Sequence, residues 1–357
     1  MSNQLVSNRR PIGVGTEGYL RVQVEDFQGL VPDNFRTGAT LIGTIIGTSI
    51  NPNTKKIPRK KALGSLYMQP DLQGSRYVTG EIKFIANTAD LQDQLQAFGF
   101  ARNRVLNTAP TNTEDTFFSN SGVAPTSRTD LRTASRTFTM EDAWGSNTPY
   151  YYTGCIVTKF RIEATQNDNV IVTLSFIGND PQPQVLRTNI PELGTAYNIA
   201  NDITFGEGST VLNFNSNSNL TVQNPLANEE STTLRPYSFF TEIDFMYEEE
   251  SYDIGSKTRR AYFRKDIPMV SVGFNLDAEL YFVQKAINLD VFNGTIVLFN
   301  GILEDGSRLR IESRYNGVQA EDNSLNRVLE HNIMDFNFKG NFHQNPYELF
   351  FRTTPNT

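Results

Sequence analysis

Two histidines, one cysteine and one tryptophan are all that this 357-residue chain offers to chemistry needing an imidazole, a thiolate or an indole. Cys155 opens a strand-like run and has no plausible histidine partner, so it reads as a small core residue rather than a nucleophile. A single cysteine also excludes an internal disulfide framework and a paired-cysteine metal site. His331 and His343 are separated by strand-like sequence with no cysteine or third histidine nearby, which is a poor ligand set for zinc. Gly13, Gly15 and Gly18 spell G-x-G-x-x-G, yet Pro11 precedes them and an alternating strand follows. A dinucleotide site needs a strand before that turn and a helix N-terminus after it, so the match lacks its physical context. Trp144 near Tyr150, Tyr151 and Tyr152 offers a stacking surface for a sugar, although packing at a sheet end or a subunit interface is the commoner use. Carboxylate pairs remain open as a hydrolytic device. With no acid, base or metal cluster to point to, no catalytic, cofactor-binding or metal residue is assigned, and the expectation is a non-enzyme.

Two charge runs stand out. Lys55, Lys56, Arg59, Lys60 and Lys61 form a basic connection, and Glu248, Glu249 and Glu250 lead to Asp253 in an acidic one. Each is read either as an ordinary solvated turn or as a contact between copies. The net charge of −7 argues against a surface that grips duplex DNA throughout. No stretch approaches the ~20 apolar residues of a membrane helix, and the basic N-terminal segment lacks the apolar core of a secretory signal, so no membrane insertion and folding in a cytoplasm are expected.

The elements that must carry these residues are mostly strands. Ile156, Thr158, Phe160, Ile162 and Ala164 share one face of a strand, with Val157, Lys159, Arg161 and Glu163 on the other. Val170, Val172, Leu174 and Phe176 repeat the pattern after a turn through Gln166 to Asn169, giving a long amphipathic hairpin. Upstream, alternation predicts strands at 18–25, 39–50, around 63–69 and 77–85, with the basic run as a connection and Pro70–Gly74 as a turn. Leu91, Leu95 and Phe98 then form a helical stripe, with Asn87 or Thr88 as cap and Gly99 in the left-handed closing position. From Arg102 to about Ala134 the composition turns to Asn, Thr, Ser and Pro, and a loop of that length implies a contact to make.

After a proline-containing linker the order recurs. Strands are expected at 203–223, 237–250 and 257–275, with Pro268 as a bend, then a helix bearing Leu280, Val283 and Ile287, capped by Asn275 or Asp277. A hairpin at 295–299 and 308–313 turns on Glu304, Asp305 and Gly306, and strands at 332–339 and 347–352 follow. EIKFIANTADLQDQLQAFGF and MVSVGFNLDAELYFVQKAIN each place a strand, an Asn turn and a helix in sequence, which makes an internal repeat.

The succession LGSLYMQPDLQG, TGEIKF, short helix, long polar loop, SRTFTMED, TGCIVTKFRIEA and VIVTLSFIGN resembles the tail tube proteins of long-tailed bacteriophages, in the larger, two-module form. FFTEIDF, DIGSK, PMVSVGFNLDAELYF and VLEHNIMDFNF occupy the corresponding stations of the second half. The resemblance implies a mainly β fold of two β-sandwich modules, each with a flanking α-helix, whose inner sheets join into a multi-subunit β-barrel. The implied layout is an N-terminal arm over 1–14, a first module over 15–180, a linker or insertion over 181–234 and a second module over 235–357. It further implies a structural virion protein of the tail, assembled in the host bacterial cytoplasm from stacked rings, a trimer being preferred over a hexamer. The lumen passes viral DNA without sequence-specific binding, and the implied partners are the tape measure, tail terminator and distal tail proteins. In that setting the basic run becomes a candidate inter-ring contact, and the acidic run a candidate lumen or ring-contact charge. A distal tail or baseplate ring, a receptor-binding adhesin and a capsid decoration protein remain alternatives at this point.

Overall fold

The computed structural model describes residues 19–43, 45–57, 72–86, 91–100, 102–107, 112–117, 136–143, 150–165, 168–179, 182–183, 219–223, 232–234, 237–247, 262, 269–277, 296–302, 308–314, 319–320, 324–328, 331–341 and 349–354. The fold is mainly β. In chain order the elements are β1 (Tyr19–Val24), α1 (Phe35–Gly38), β2 (Thr40–Leu41), β3 (Ile45–Ile57), β4 (Leu72–Ile85), α2 (Leu91–Ala97), β5 (Arg102–Asn107), β6 (Asn112–Phe117), β7 (Phe138–Ala143) and β8 (Tyr150–Thr165). Then follow β9 (Ile171–Asn179), β10 (Gln182–Pro183), β11 (Asn219–Gln223), β12 (Thr232–Leu234), β13 (Ser238–Asp244) and β14 (Met269–Asp277). The last are β15 (Ile296–Ile302), β16 (Arg308–Arg314), β17 (Gln319–Ala320), β18 (Ser324–Val328), β19 (His331–Asn341) and β20 (Leu349–Thr354).

These strands form a 13-stranded sheet and a 7-stranded sheet, antiparallel throughout. The larger sheet branches at β8. The first part of β8 pairs with β7 (Glu141 opposite Tyr151) and β10 (Gln182 opposite Tyr151), and its second part with β9 (Phe160 opposite Leu174) and β13 (Phe160 opposite Ile243). Register shifts between Phe138 and Met140, and between Val157 and Lys159, mark where the strand turns from one set of neighbours to the other. Gly154 sits at that turn with φ +59°, a conformation that a side chain disfavours.

The predicted hairpin is β8–β9, and from Lys159 onward its alternation is as expected: Phe160, Ile162 and Ala164 are buried on the face of Val172, Leu174 and Phe176, while the shift at Thr158 puts Val157, and not Ile156, on that same core face. The helix stripe is also as expected. Leu91, Leu95 and Phe98 are buried against the sheet, and Gly99 closes the helix with φ +89° while its carbonyl accepts from Arg136 N at 2.8 Å. Phe98 stands edge-on to Phe138 with ring centres 5.3 Å apart, and Phe100 meets Phe160 and Phe245 at 5.9 Å. One apolar cluster therefore runs from Leu20 on β1 to Phe274 on β14, crossing from the first half of the chain into the second.

Three expectations need correction. The strand from residue 39 is interrupted after Leu41 and resumes as β3, which continues through Pro52, Lys55 and Lys56 to Ile57 instead of yielding to a connection at Asn51. An edge strand tolerates both a proline, whose missing N–H would face outward, and lysines. Residues 72–74 likewise belong to β4 and not to a turn. Asn275 and Asp277 are strand residues, not helix caps; Asn275 Oδ1 accepts from Ser238 N at 2.7 Å across β13–β14. The polar segment after Arg102 contains the hairpin β5–β6, and β6 pairs with β20. That pairing is the contact its length implied. The cap at Asn87 or Thr88, the strand at 63–69, residues 257–261 and 263–268, and the helix of Leu280, Val283 and Ile287 lie outside the described residues. The hairpin β15–β16 forms as expected.

Candidate functional site: one sheet with two open edges

Across the larger sheet the strands run β3–β4–β9–β8–β13–β14–β19, with β17 and β18 both on the far side of β19. Eight strand positions thus lie side by side, drawn equally from the two halves of the chain. Among the described residues, β3 pairs with β4 alone, and β17 and β18 pair with β19 alone. Each end of this surface therefore presents unpaired backbone N–H and C=O groups, a template for another strand.

From β4 through β9 and β8 to β13, one face is apolar and packed, and the other carries polar side chains in cross-strand rows. Along β4 it carries Thr79, Glu81 and Lys83, and along β9 Thr173 and Ser175. At the junction of the halves, Lys159 and Arg161 on β8 stand opposite Asp244 and Glu242 on β13. Lys159 Nζ lies 3.0 Å from Asp244 Oδ2, and that hydrogen bond holds the lysine above its usual pKa. Arg161 reaches Glu163 at 2.9 Å and Glu242 at 3.4 Å, with its guanidinium 4.1 Å from the centre of the Phe240 ring. Lys83 pairs with Glu81 at 3.3 Å. Lys83, Lys159 and Arg161 are each matched by a carboxylate, so the described side chains of β4, β8 and β13 are mixed in sign rather than uniformly acidic. Each such pair, partly exposed, stabilises by only ~0.2–1 kcal/mol.

Behind the junction, β1 and β7 bury a second polar group. Tyr19 donates to Glu141 at 2.7 Å, Arg21 lies 3.5 Å from the same carboxylate, and Arg21 also donates to Phe35 O at 3.2 Å. Burial pushes the Glu141 carboxyl above the usual range, against the opposing pull of Tyr19 and Arg21. Glu25 closes the turn after β1: its two oxygens accept from Gly29 N at 2.7 Å, Thr139 Oγ1 at 2.8 Å and Gly154 N at 2.7 Å. Tyr262 donates to the Gly154 carbonyl, so both backbone polar groups of Gly154 are held by side chains. These interactions fix the place where β8 changes neighbours. They organise backbone and leave no carboxylate poised over a cleft.

Of the residues singled out in the sequence, Lys55 and Lys56 lie in the last turnings of β3, Lys56 opposite Gln73. Arg59, Lys60, Lys61, Glu248, Glu249, Glu250 and Asp253 lie outside the described residues, as do Gly13, Gly15, Gly18, Trp144 and His343. Cys155 is buried, and burial followed by the nearby Glu25 charge pushes its thiol well above the usual range, so it stays protonated. Tyr151 and Tyr152 are buried while Tyr150 is half exposed, which separates the aromatic trio that would have had to stack together on a sugar. His331 opens β19 opposite Val328. Among the described residues no group of three His, Cys, Asp or Glu side chains is arranged to hold a metal, and no helix is long and apolar enough to cross a membrane. The junction pairs went unassigned in the sequence. Their signal was present, since V-T-K-F-R-I-E and F-T-E-I-D-F carry opposite signs on alternate positions, but only the antiparallel register brings them face to face.

A family model described as phage tail tube protein matches residues 28–307, most of the chain. No curated protein matches.

Proposed function

Because this chain belongs to the phage tail tube protein family, a family of structural virion components, we propose that it is the major tube subunit, polymerising into stacked rings that conduct phage DNA. The observation that carries this reading is the eight-position sheet with both edges open, assembled from both halves of one chain. Joining such edges between copies satisfies the exposed backbone groups and converts an aggregation hazard into ring closure. Three copies would supply ~24 strands, and at ~4.8 Å spacing and 35–45° tilt these enclose a barrel ~45–50 Å across between backbones. Six copies would double that width. A trimer, in which each chain fills two tube positions, is the stoichiometry we favour, with the two halves acting as sandwich modules over 15–180 and 235–357.

The polar face then lines the lumen. Its matched charges give phosphate little to hold, so DNA slides past a wall without a net basic stripe. Lys55, Lys56, Arg59, Lys60 and Lys61 are assigned to inter-ring contact, Lys55 and Lys56 lying near the end of β3. Glu248, Glu249, Glu250 and Asp253 are assigned to lumen or ring-contact charge. Tape measure, terminator and distal tail proteins are the other partners this role requires, and assembly takes place in the host cytoplasm.

Negative-stain microscopy of the purified protein tests the proposal: tubes with three-fold rotational symmetry are expected. Single unstacked rings would instead mark a distal tail component, and persistent isolated monomers at high concentration would overturn the reading.

A further inference from the structure

The two halves of the sheet repeat one another strand for strand, and their junction is therefore a template for the contact between copies. β3–β4–β9–β8 is followed by β13–β14–β19 and then β17 and β18, each set being two strands, a return strand and its hairpin partner. The repeated segments EIKFIAN and MVSVGFN align Ile82 with Val270, and the sheet agrees on both sides of them. Ile82 faces Thr48 on β3 and Leu174 on β9, while Val270 faces Ile243 on β13 and Gly340 on β19. The buried position Ala86 corresponds to the buried Phe274, so the packed faces coincide there as well.

This correspondence extends to the edges. Arg161 lies opposite Thr173 on β9, and its counterpart Gln319 lies opposite Lys339 on β19. Glu242 lies opposite Ser271 on β14, and its counterpart Gly47 lies opposite Lys83 on β4. Within the chain, Arg161 and Glu242 are directly paired. From this, and resting on the ring assembly proposed above, we infer that β17 and β18 of one copy pair antiparallel with β3 of the next, in the register that sets Gln319 opposite Gly47 and Ala320 opposite Ile45.

The same template fixes the kind of pair. Phe245 N donates to Thr158 O at 2.9 Å, which places the ladder's backbone bonds at the level of that pair, and bonded and non-bonded positions alternate from there. Arg161 and Glu242 fall on a pair without direct backbone bonds, whose Cα atoms approach to ~4.5 Å, within the span of a disulfide. Their intermolecular counterparts, Gln319 and Gly47, carry no charge, so the contact between copies rests on backbone pairing without the ion pairs of the internal junction. Gly47 also leaves room for a side chain: a Cβ there meets nothing within 4 Å.

The test is a cysteine pair. Gly47→Cys with Gln319→Cys, assembled and then oxidised, should give covalent oligomers on a non-reducing denaturing gel, with the series ending at the ring number. An intramolecular link is excluded by geometry, since the two positions lie on opposite edges ~34 Å apart at the usual strand spacing. The native Cys155 is buried and does not compete. Gly43→Cys with Gln319→Cys is the out-of-register control, Gly43 being equally open, and should not cross-link. Mixing the two single variants, Gly47→Cys and Gln319→Cys, should give dimers and nothing longer, and serves where the double variant assembles poorly. Intact rings that fail to cross-link at 47 and 319, or that cross-link equally well at 43 and 319, overturn the inferred register while leaving the ring itself standing. Absence of rings from the unmodified protein instead overturns the tube reading on which the register rests.

Discussion

Replacing Glu25 by Gln should cost about 2–4 kcal/mol, and the reason lies in how its two oxygens are used. Oε1 accepts from both Thr139 Oγ1 and Gly154 N, and Oε2 accepts from Gly29 N. All three donors are satisfied by one buried carboxylate. A glutamine retains one carbonyl oxygen, which can keep the two donors on the Oε1 side. Its amide group then faces Gly29 N, so one bond to a charged acceptor worth ~1.5–3 kcal/mol is lost and a donor is left facing a donor, which adds part of a further ~1–3 kcal/mol. Alanine removes all three partners and should cost more, about 4–6 kcal/mol. Thr139→Val removes a single donor to the same charged acceptor and should cost about 1.5–3 kcal/mol. The assay is equilibrium urea unfolding of the unassembled protein at neutral pH, comparing midpoints at constant slope. A double-mutant cycle between Glu25→Gln and Thr139→Val should show coupling of at least ~0.5 kcal/mol. A Glu25→Gln protein within ~0.5 kcal/mol of the original would refute the claim that this carboxylate clamps the turn of β8.

Phe176→Ala, emptying a site beside Phe138, should cost ~3–5 kcal/mol, whereas Thr173→Ala on the opposite face of the same strand should stay within ~0.5 kcal/mol; thermal or urea unfolding of both variants checks the facing of β9. Glu141 titrates higher in the fold than in the open chain because it is buried, so its contribution is full below the unfolded value and is lost as pH rises through the folded one. Unfolding midpoints of the original protein relative to Glu141→Gln should therefore improve as pH is lowered from neutrality toward 4.5, and a difference flat in pH would contradict the assigned burial. Glu163→Gln, Glu242→Gln and Asp244→Asn together strip the carboxylates from Lys159 and Arg161. Such tubes should retain duplex DNA at low salt and release it as salt rises, measurable by co-sedimentation, while the original tubes should not. Changing Lys55, Lys56, Arg59, Lys60 and Lys61 to Ser should weaken ring stacking without dissolving rings, and unchanged tube length by microscopy would discard the inter-ring assignment.

What the sequence disclosed was local. The β8–β9 hairpin, the α2 stripe ending at Gly99 and the β15–β16 hairpin are each written in a few adjacent residues whose spacing matches one period. Pro52, Lys55 and Lys56 misled because charge and proline usually mark a connection, and only the position of β3 at a sheet margin makes them compatible with a strand. Asn275 looked like a cap because it precedes an apolar helical spacing, whereas its side chain bonds across to Ser238. Arg21 and Glu25 looked like the wet face of β1. They are buried because Val31, Phe35 and the turn between them fold back over that face, bringing Phe35 beneath the Arg21 guanidinium. The junction of β8 with β13 and the pairing of β6 with β20 were illegible for a different reason: they join segments far apart in the chain, and no local pattern encodes which distant partner a strand will take.

The pairing of β6 with β20 gives the order of synthesis a physical meaning. Residues 112–117 leave the ribosome long before their neighbour in the sheet, Leu349–Thr354. Loop closure over that separation cannot begin until residues 349–354 have been made, so the smaller sheet stays incomplete while the stretch between is translated. A chain proposed to assemble with its own kind thus spends part of its synthesis with this sheet unfinished, while copies are crowded on one messenger.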